Sequence, residues 1–88
     1  MRRGLKSIKE QFINKKFPQW NGKKFTNGQL LKLLRFHKGL KQHQLAYLID
    51  SFQEDISQME TDKRVVGKMI AKRLSKVFKV NPQIFLED

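Results

Sequence analysis

Gln53, Glu54, Ser57 and Gln58 carry the side chains of this chain best suited to recognition chemistry. A glutamine amide donates and accepts at once, so it can meet both N7 and the N6 amino group of adenine. A glutamate can accept from the N4 amino group of cytosine. Lys41, Lys63 and Arg64 flank the quartet and suit phosphate oxygens, contacts that set register without reading sequence. The four share a face only if the segment is helical. Ile56 and Met59 mark the inward side of such a helix, and a wheel of about 100° per residue turns Gln53, Glu54, Ser57, Gln58 and Thr61 away from it.

No arrangement in the chain suits catalysis, so the reading is of a protein that is not an enzyme. His37 and His43 are the only histidines and there is no cysteine, which leaves no metal site and no expected cofactor. Gly-rich phosphate loops and nucleophile–base pairs are missing too.

The elements that must position the quartet are legible around it. Residues 40–60 read as two short helices joined by a sharp turn. Leu45, Leu48 and Ile49 give the first an apolar face, and Ala46 is small where two helices cross. Asp50 falls at the corner, where the backbone goes left-handed and Asp is among the few tolerated non-glycines. Ser51-Phe52-Gln53-Glu54 spells a capping box, so Ser51 is expected to cap the second helix and Phe52 to turn inward. Upstream, Thr26-Asn27-Gly28-Gln29 is another capping box, opening a helix through Leu30, Leu31, Leu34 and Arg35 that stops at Gly39. Lys41 cannot accept from an N–H, which weakens the next helix start by ~1 kcal/mol.

Downstream, Ile70, Leu74, Val77 and Phe78 form the core stripe of a helix over residues 67–78, with Lys68, Lys72, Lys76 and Lys79 opposite. Asn81-Pro82 then caps a short last helix bearing Ile84, Phe85 and Leu86. Near the amino terminus, Leu5, Ile8 and Phe12 predict an amphipathic helix over residues 5–16, ended by Pro18. A loop follows, in which Asn21-Gly22 is a turn signal able to close a small hairpin. The pattern of two helices about a tight corner is that of a helix-turn-helix.

From about Asn27 to Leu86, roughly two thirds of the chain, the sequence resembles the lambda-repressor-like (phage repressor/Cro, or XRE) helix-turn-helix family. The resemblance is carried by Gly39-Leu40-Lys41-Gln42, Leu45-Ala46 and Ile56-Ser57-Gln58-Met59-Glu60, then by Lys63-Arg64, Ala71-Lys72-Arg73-Leu74 and Val80-Asn81-Pro82-Gln83-Ile84-Phe85. It implies an all-α, compact five-helix domain over residues 26–88, with a basic N-terminal extension over residues 1–25 that can hold an extra helix. It also implies that Gln53, Glu54, Ser57 and Gln58 contact base edges, and that Gln42 grips phosphate and braces the reading helix. Arg35 and Glu60 match a partly buried bidentate bridge between the first helix and the end of the reading helix.

Charge supports a polyanionic partner and complicates it. The net charge is +11, which suits double-stranded DNA through counterion release. Residues 1–24 hold eight bases and one acid, and residues 63–79 hold seven bases and no acid. Residues 50–62, the reading segment itself, hold five acids and no base. Glu54 and Asp55 are read first as complements to the helix dipole, with cytosine recognition by Glu54 as the functional alternative and an internal salt bridge open to Asp55.

Length allows one domain, and no apolar run or leader-like start suggests a membrane span or secretion, so a cytoplasmic protein is expected. The leading expectation is a sequence-specific transcriptional regulator acting as a homodimer on a pseudo-palindrome, with Ile84, Phe85 and Leu86 as the candidate dimer surface. The alternative is an antitoxin. Residues 24–31 and 63–74 look similar to helix-turn-helix antitoxins of the HigA type, and residues 1–25 would then bind a cognate toxin. A third reading gives the acidic helix a protein partner instead of DNA.

Overall fold

Helix ends set the architecture, because each is fixed by a residue that satisfies or releases the backbone. The computed structural model describes residues 7–87. Over that range the chain forms five α-helices, α1 (Ile8–Lys16), α2 (Asn27–His37), α3 (Gln42–Leu48), α4 (Gln53–Glu60) and α5 (Lys68–Phe78). Two 3-10 turns, Pro18–Trp20 and Pro82–Phe85, complete it, and there is no strand among the described residues. The expected hairpin at Asn21-Gly22 is therefore a simple turn. Gly22 sits at φ 85° and donates its N–H to Asn14 Oδ1 at 3.1 Å.

Thr26 opens α2 as its sequence predicts: Thr26 Oγ1 accepts from the Gln29 N–H, and Gln29 Oε1 accepts from the Thr26 N–H, both at 3.0 Å. Three helices end with the same stop, and α5 shares its left-handed residue and five-residue return at Lys79 and Val80. Gly39, Asp50 and Asp62 take left-handed φ of 75°, 56° and 62° one residue past the caps of α2, α3 and α4. In each case the next residue donates its N–H back five residues: Leu40 to Arg35 at 3.1 Å, Ser51 to Ala46 at 2.8 Å, Lys63 to Gln58 at 2.9 Å. These are Schellman stops. The corner at Asp50 is thus a helix terminator held by two backbone bonds, and it aims α4 across α3.

Lys41 is the N-cap of α3 and accepts nothing; only the reciprocal half survives, Gln44 Oε1 accepting from the Lys41 N–H at 2.8 Å. At α4 the expectation fails. The N-cap is Phe52 rather than Ser51, with no side-chain bond, and the Phe52 ring is 76% exposed. Ser51 is still part of the preceding stop through its N–H, and its hydroxyl donates to Asp55 Oδ2 at 3.0 Å. With Phe52 itself as the cap, its backbone is extended (φ −110°, ψ 150°) and its side chain stays at the surface instead of entering the core.

One core joins both ends of the chain. Leu30, Leu31, Leu34, Leu45, Ala46, Ile49, Ile56, Met59, Ala71 and Leu74 are buried, together with Ile13 and Phe17 from the first 25 residues. On α1, Ile8 is exposed, Phe12 is only half-buried and Ile13 takes the core position; Leu5 lies outside the described residues. The face is rotated because Lys9 is buried, its Nζ donating to Asn27 Oδ1 at 2.8 Å and to the Glu87 carbonyl at 3.3 Å. Ser7 begins that helix with a capping box of its own to Glu10. Glu87 reinforces the start by accepting the Lys9 N–H at 2.8 Å. Trp20 and Phe25 pack against the same core from the intervening loop.

Ile84 and Phe85 are fully buried, so the expected dimer surface is corrected: both residues belong to the interior, held there by the Asn81 cap (Oδ1 accepting from the Gln83 N–H at 2.9 Å). The stripe on α5 is centred on Ala71 and Leu74, with Ile70, Val77 and Phe78 half-buried beside them. The radius of gyration is 12.8 Å, close to the ~12 Å of a well-packed chain of this length. No helix among the described residues is long and apolar enough to cross a membrane.

Candidate functional site

The outer face of α4 is positioned by a polar network behind it. Arg35, buried in α2, donates Nε to Glu60 Oε2 at 2.5 Å and Nη2 to Glu60 Oε1 at 2.9 Å. Its Nη1 donates to the Leu40 carbonyl at 2.9 Å, which ties the same guanidinium to the loop leading into α3. Gln42, in the first turn of α3, donates Nε2 to Glu60 Oε1 at 3.1 Å. Three helices therefore converge on one carboxylate at the end of α4. No buried side-chain nitrogen or oxygen among the described residues lacks a partner. Such a network fixes orientation, because a half-satisfied version of it would be costly.

A second tie fixes the α2–α4 crossing. Gly28 lies so close to α4 that a Cβ there would fall 2.2 Å from the Met59 carbonyl oxygen. Asp62, just past α4, accepts from the Gly28 N–H at 3.0 Å and from Thr26 Oγ1 at 2.7 Å. Neither Gly28 nor Asp62 stands out in the sequence for this role.

With its inner side so engaged, α4 presents Gln53 and Glu54 exposed and Ser57 and Gln58 half-exposed. None of these four side chains makes a hydrogen bond or ion pair within the described residues. Thr61 is less available, since its hydroxyl donates to the Ser57 and Gln58 carbonyls at 3.1 and 3.2 Å. The flanking bases divide. Lys41 and Lys63 are exposed at the two loops bordering the face. Gln42 is committed to Glu60, and Arg64 Nη1 binds Asp55 Oδ1 at 2.9 Å.

The acidity of the segment looks different once its partners are known. Glu60 is neutralised by Arg35, Asp55 by Arg64, and Asp62 faces the positive end of α2. Asp50 is spent on the left-handed corner and shares a shallow groove with Arg73 and Lys76. Only Glu54 is left as an exposed carboxylate on the outer face of α4. The site's chemistry is then two amides, one hydroxyl and one carboxylate, with lysines at its margins.

Phe52 is the residue whose place here the sequence misplaces. It stands at the N-terminal tip of α4, beside Gln53, with Tyr47 and Leu48 exposed on the last turn of α3. The two histidines do not approach each other as ligands: His37 stacks edge-on against Phe17 with centroids 5.2 Å apart, and His43 is exposed on α3. Among the described residues no group of three His, Cys, Asp or Glu side chains could hold a metal ion. No protein-family model matches this sequence, and neither the curated proteins nor the solved structures provide a match.

Proposed function

We propose that α3 and α4 are a helix-turn-helix of the lambda-repressor-like type, and that the chain is a sequence-specific DNA-binding regulator that reads the major groove with α4. The support comes from the chain itself. The observation that carries it is the division of α4 into a fully bonded inner side and an outer side of unbonded recognition groups. Glu60 is held by Arg35 and Gln42, while the side chains of Gln53, Glu54, Ser57 and Gln58 have no partner among the described residues. In this fold the N-terminal residues of the second helix meet base edges, and Lys41 and Lys63 are then at the height of the phosphates on either side. Internal pairing of the segment's acids removes most of the repulsion that a run of five carboxylates would impose.

Gln42 supports DNA indirectly in this reading, by bracing Glu60, and Lys63 carries more of the phosphate contact than Arg64. Two copies acting on a pseudo-palindrome remain the natural use of so small a reading surface. Their contact lies away from Ile84 and Phe85, which are interior. The antitoxin alternative is less favoured. Ile13 and Phe17 already fill the chain's own core, so residues 7–25 are not an arm waiting to fold on a toxin.

The test is selection of bound duplexes from a random pool at two salt concentrations. A preferred sequence should emerge, with affinity that falls as salt rises. Gln53→Ala weakens binding to that sequence more than to random DNA, and neutralising Lys63 and Arg64 together weakens both. Recovery of no preferred sequence ends the proposal.

A further inference from the structure

Phe52 neither caps its helix through its side chain nor enters the core. The N-cap of a helix favours a side chain that accepts from the backbone, and a phenyl ring cannot. The ring is not buried either, being 76% exposed. It stands at the leading end of α4, next in sequence to Gln53, where the outer face of that helix otherwise carries two amides, a hydroxyl and a carboxylate. Among the groups that line the major groove, the one suited to apolar contact by an aromatic side chain is the thymine C5-methyl, which neither donates nor accepts a hydrogen bond.

We infer that Phe52 is a specificity residue that packs against a thymine methyl in the major groove, within roughly one or two base pairs of the pair read by Gln53. The inference rests on the DNA-reading role of α4. It adds an apolar contact to a face whose visible chemistry is entirely polar, and it accounts for an exposed ring at a position better served by Ser or Thr. A protein contact is the competing use of this ring, since Tyr47 and Leu48 are also exposed on α3; what favours DNA is that Phe52 adjoins exposed Asp50, Gln53 and Glu54 rather than standing at the centre of a desolvated patch.

The experiment compares thymine with deoxyuridine, which differ only by the methyl group. In the duplex selected by the wild-type chain, each thymine is replaced in turn and affinities are measured by fluorescence anisotropy. The wild-type chain loses about fourfold at one position per half-site, the value of one buried methyl. Phe52→Ala binds the thymine and deoxyuridine duplexes equally at that position, yet still discriminates at the base pair weakened by Gln53→Ala. Phe52→Leu keeps part of the methyl preference. Circular dichroism and thermal melting confirm that both variants fold, as an exposed ring allows.

An unchanged thymine preference in Phe52→Ala, or no methyl sensitivity in the wild-type chain, overturns the inference and leaves the ring to a protein contact. A wild-type chain that selects no duplex overturns the DNA reading itself, and the role of Phe52 with it. That outcome appears before any Phe52 variant is needed, so the two failures are distinct.

Discussion

Asp62 ends one helix and begins another: it takes the left-handed conformation that stops α4, and its Oδ1 accepts the Gly28 N–H of α2 at 3.0 Å. A residue in that position carries two separable contributions. Asp62→Ala loses the acceptor and places a Cβ-bearing residue with no local hydrogen bond at positive φ, so it destabilises by about 2 kcal/mol. Asp62→Gly loses only the acceptor and falls nearer ~1 kcal/mol, since glycine relieves the backbone cost. Asp62→Asn keeps both properties and is the mildest. Urea unfolding of the three variants checks the order; a glycine variant less stable than the alanine one contradicts it.

Gly28 is sterically required where the two helices meet. A methyl group there falls 2.2 Å from the Met59 carbonyl oxygen and 2.9 Å from that of Glu60, and both are backbone atoms that move only if the helix moves. Gly28→Ala gains at most ~1 kcal/mol of helix propensity against an overpacking cost of about 3 kcal/mol or more. The expected result is a clear loss of thermal stability. If Gln53 reads bases as proposed, its base-pair discrimination falls as well, because α4 must shift. A melting temperature equal to or above the wild type counts against the close crossing.

The Arg35–Glu60 pair is buried at both ends, with side chains 7% and 2% exposed. Removing one partner strands a charge, so Arg35→Met or Glu60→Leu alone costs about 3–5 kcal/mol. Replacing both with apolar residues of similar volume costs much less than the sum. Gln42 is then left with an unmet amide, which moderates the recovery. A double-mutant cycle by chemical denaturation measures the coupling. Additive losses would mean that the two side chains act independently, contrary to the bidentate geometry.

How much of this was readable depended on the range of each interaction. The Thr26–Gln29 box and the left-handed corner at Asp50 are local, and the residue types alone indicate them. The inward turn expected of Phe52 follows from a capping box placed one residue too early: Phe52 is itself the N-cap, and at that extended residue the ring stays outside. The buried face of α1 was likewise misplaced by periodicity, since Lys9 reaches across 78 residues to Glu87 and turns Ile13 inward. Gly28 and Asp62 meet across 34 residues, and no spacing rule links them. The acids of residues 50–62 appeared as a repulsive block because their partners Arg35, Arg64 and the start of α2 lie outside it.

The cap of α4 offers a further prediction, independent of any ligand. Phe52→Thr supplies an acceptor for the free N–H groups at Gln53–Asp55 without vacating a packed site, so it stabilises the chain by about 1 kcal/mol. The melting temperature rises accordingly. A fall would show that the ring contributes packing in spite of its exposure.

In the proposed DNA-binding role, the pairing of Arg64 with Asp55 keeps the guanidinium from phosphate, and releasing it tests how far that pairing tunes affinity. The Arg64–Asp55 bridge is 2.9 Å long but its side chains are 55% and 27% exposed, so it is worth under about 1 kcal/mol. Asp55→Asn removes one negative charge from the border of the reading face and frees the guanidinium. Stability then changes little, while DNA binding tightens at low salt for all sequences alike. The plot of log affinity against log salt steepens by about one ion, as one further phosphate is neutralised. Combining Asp55→Asn with Arg64→Gln removes that extra slope if Arg64 is the group that gains the contact. Should the slope stay steep in the double variant, the added contact belongs to Lys63 or Lys68, and the tether to Asp55 has no part in restraining Arg64.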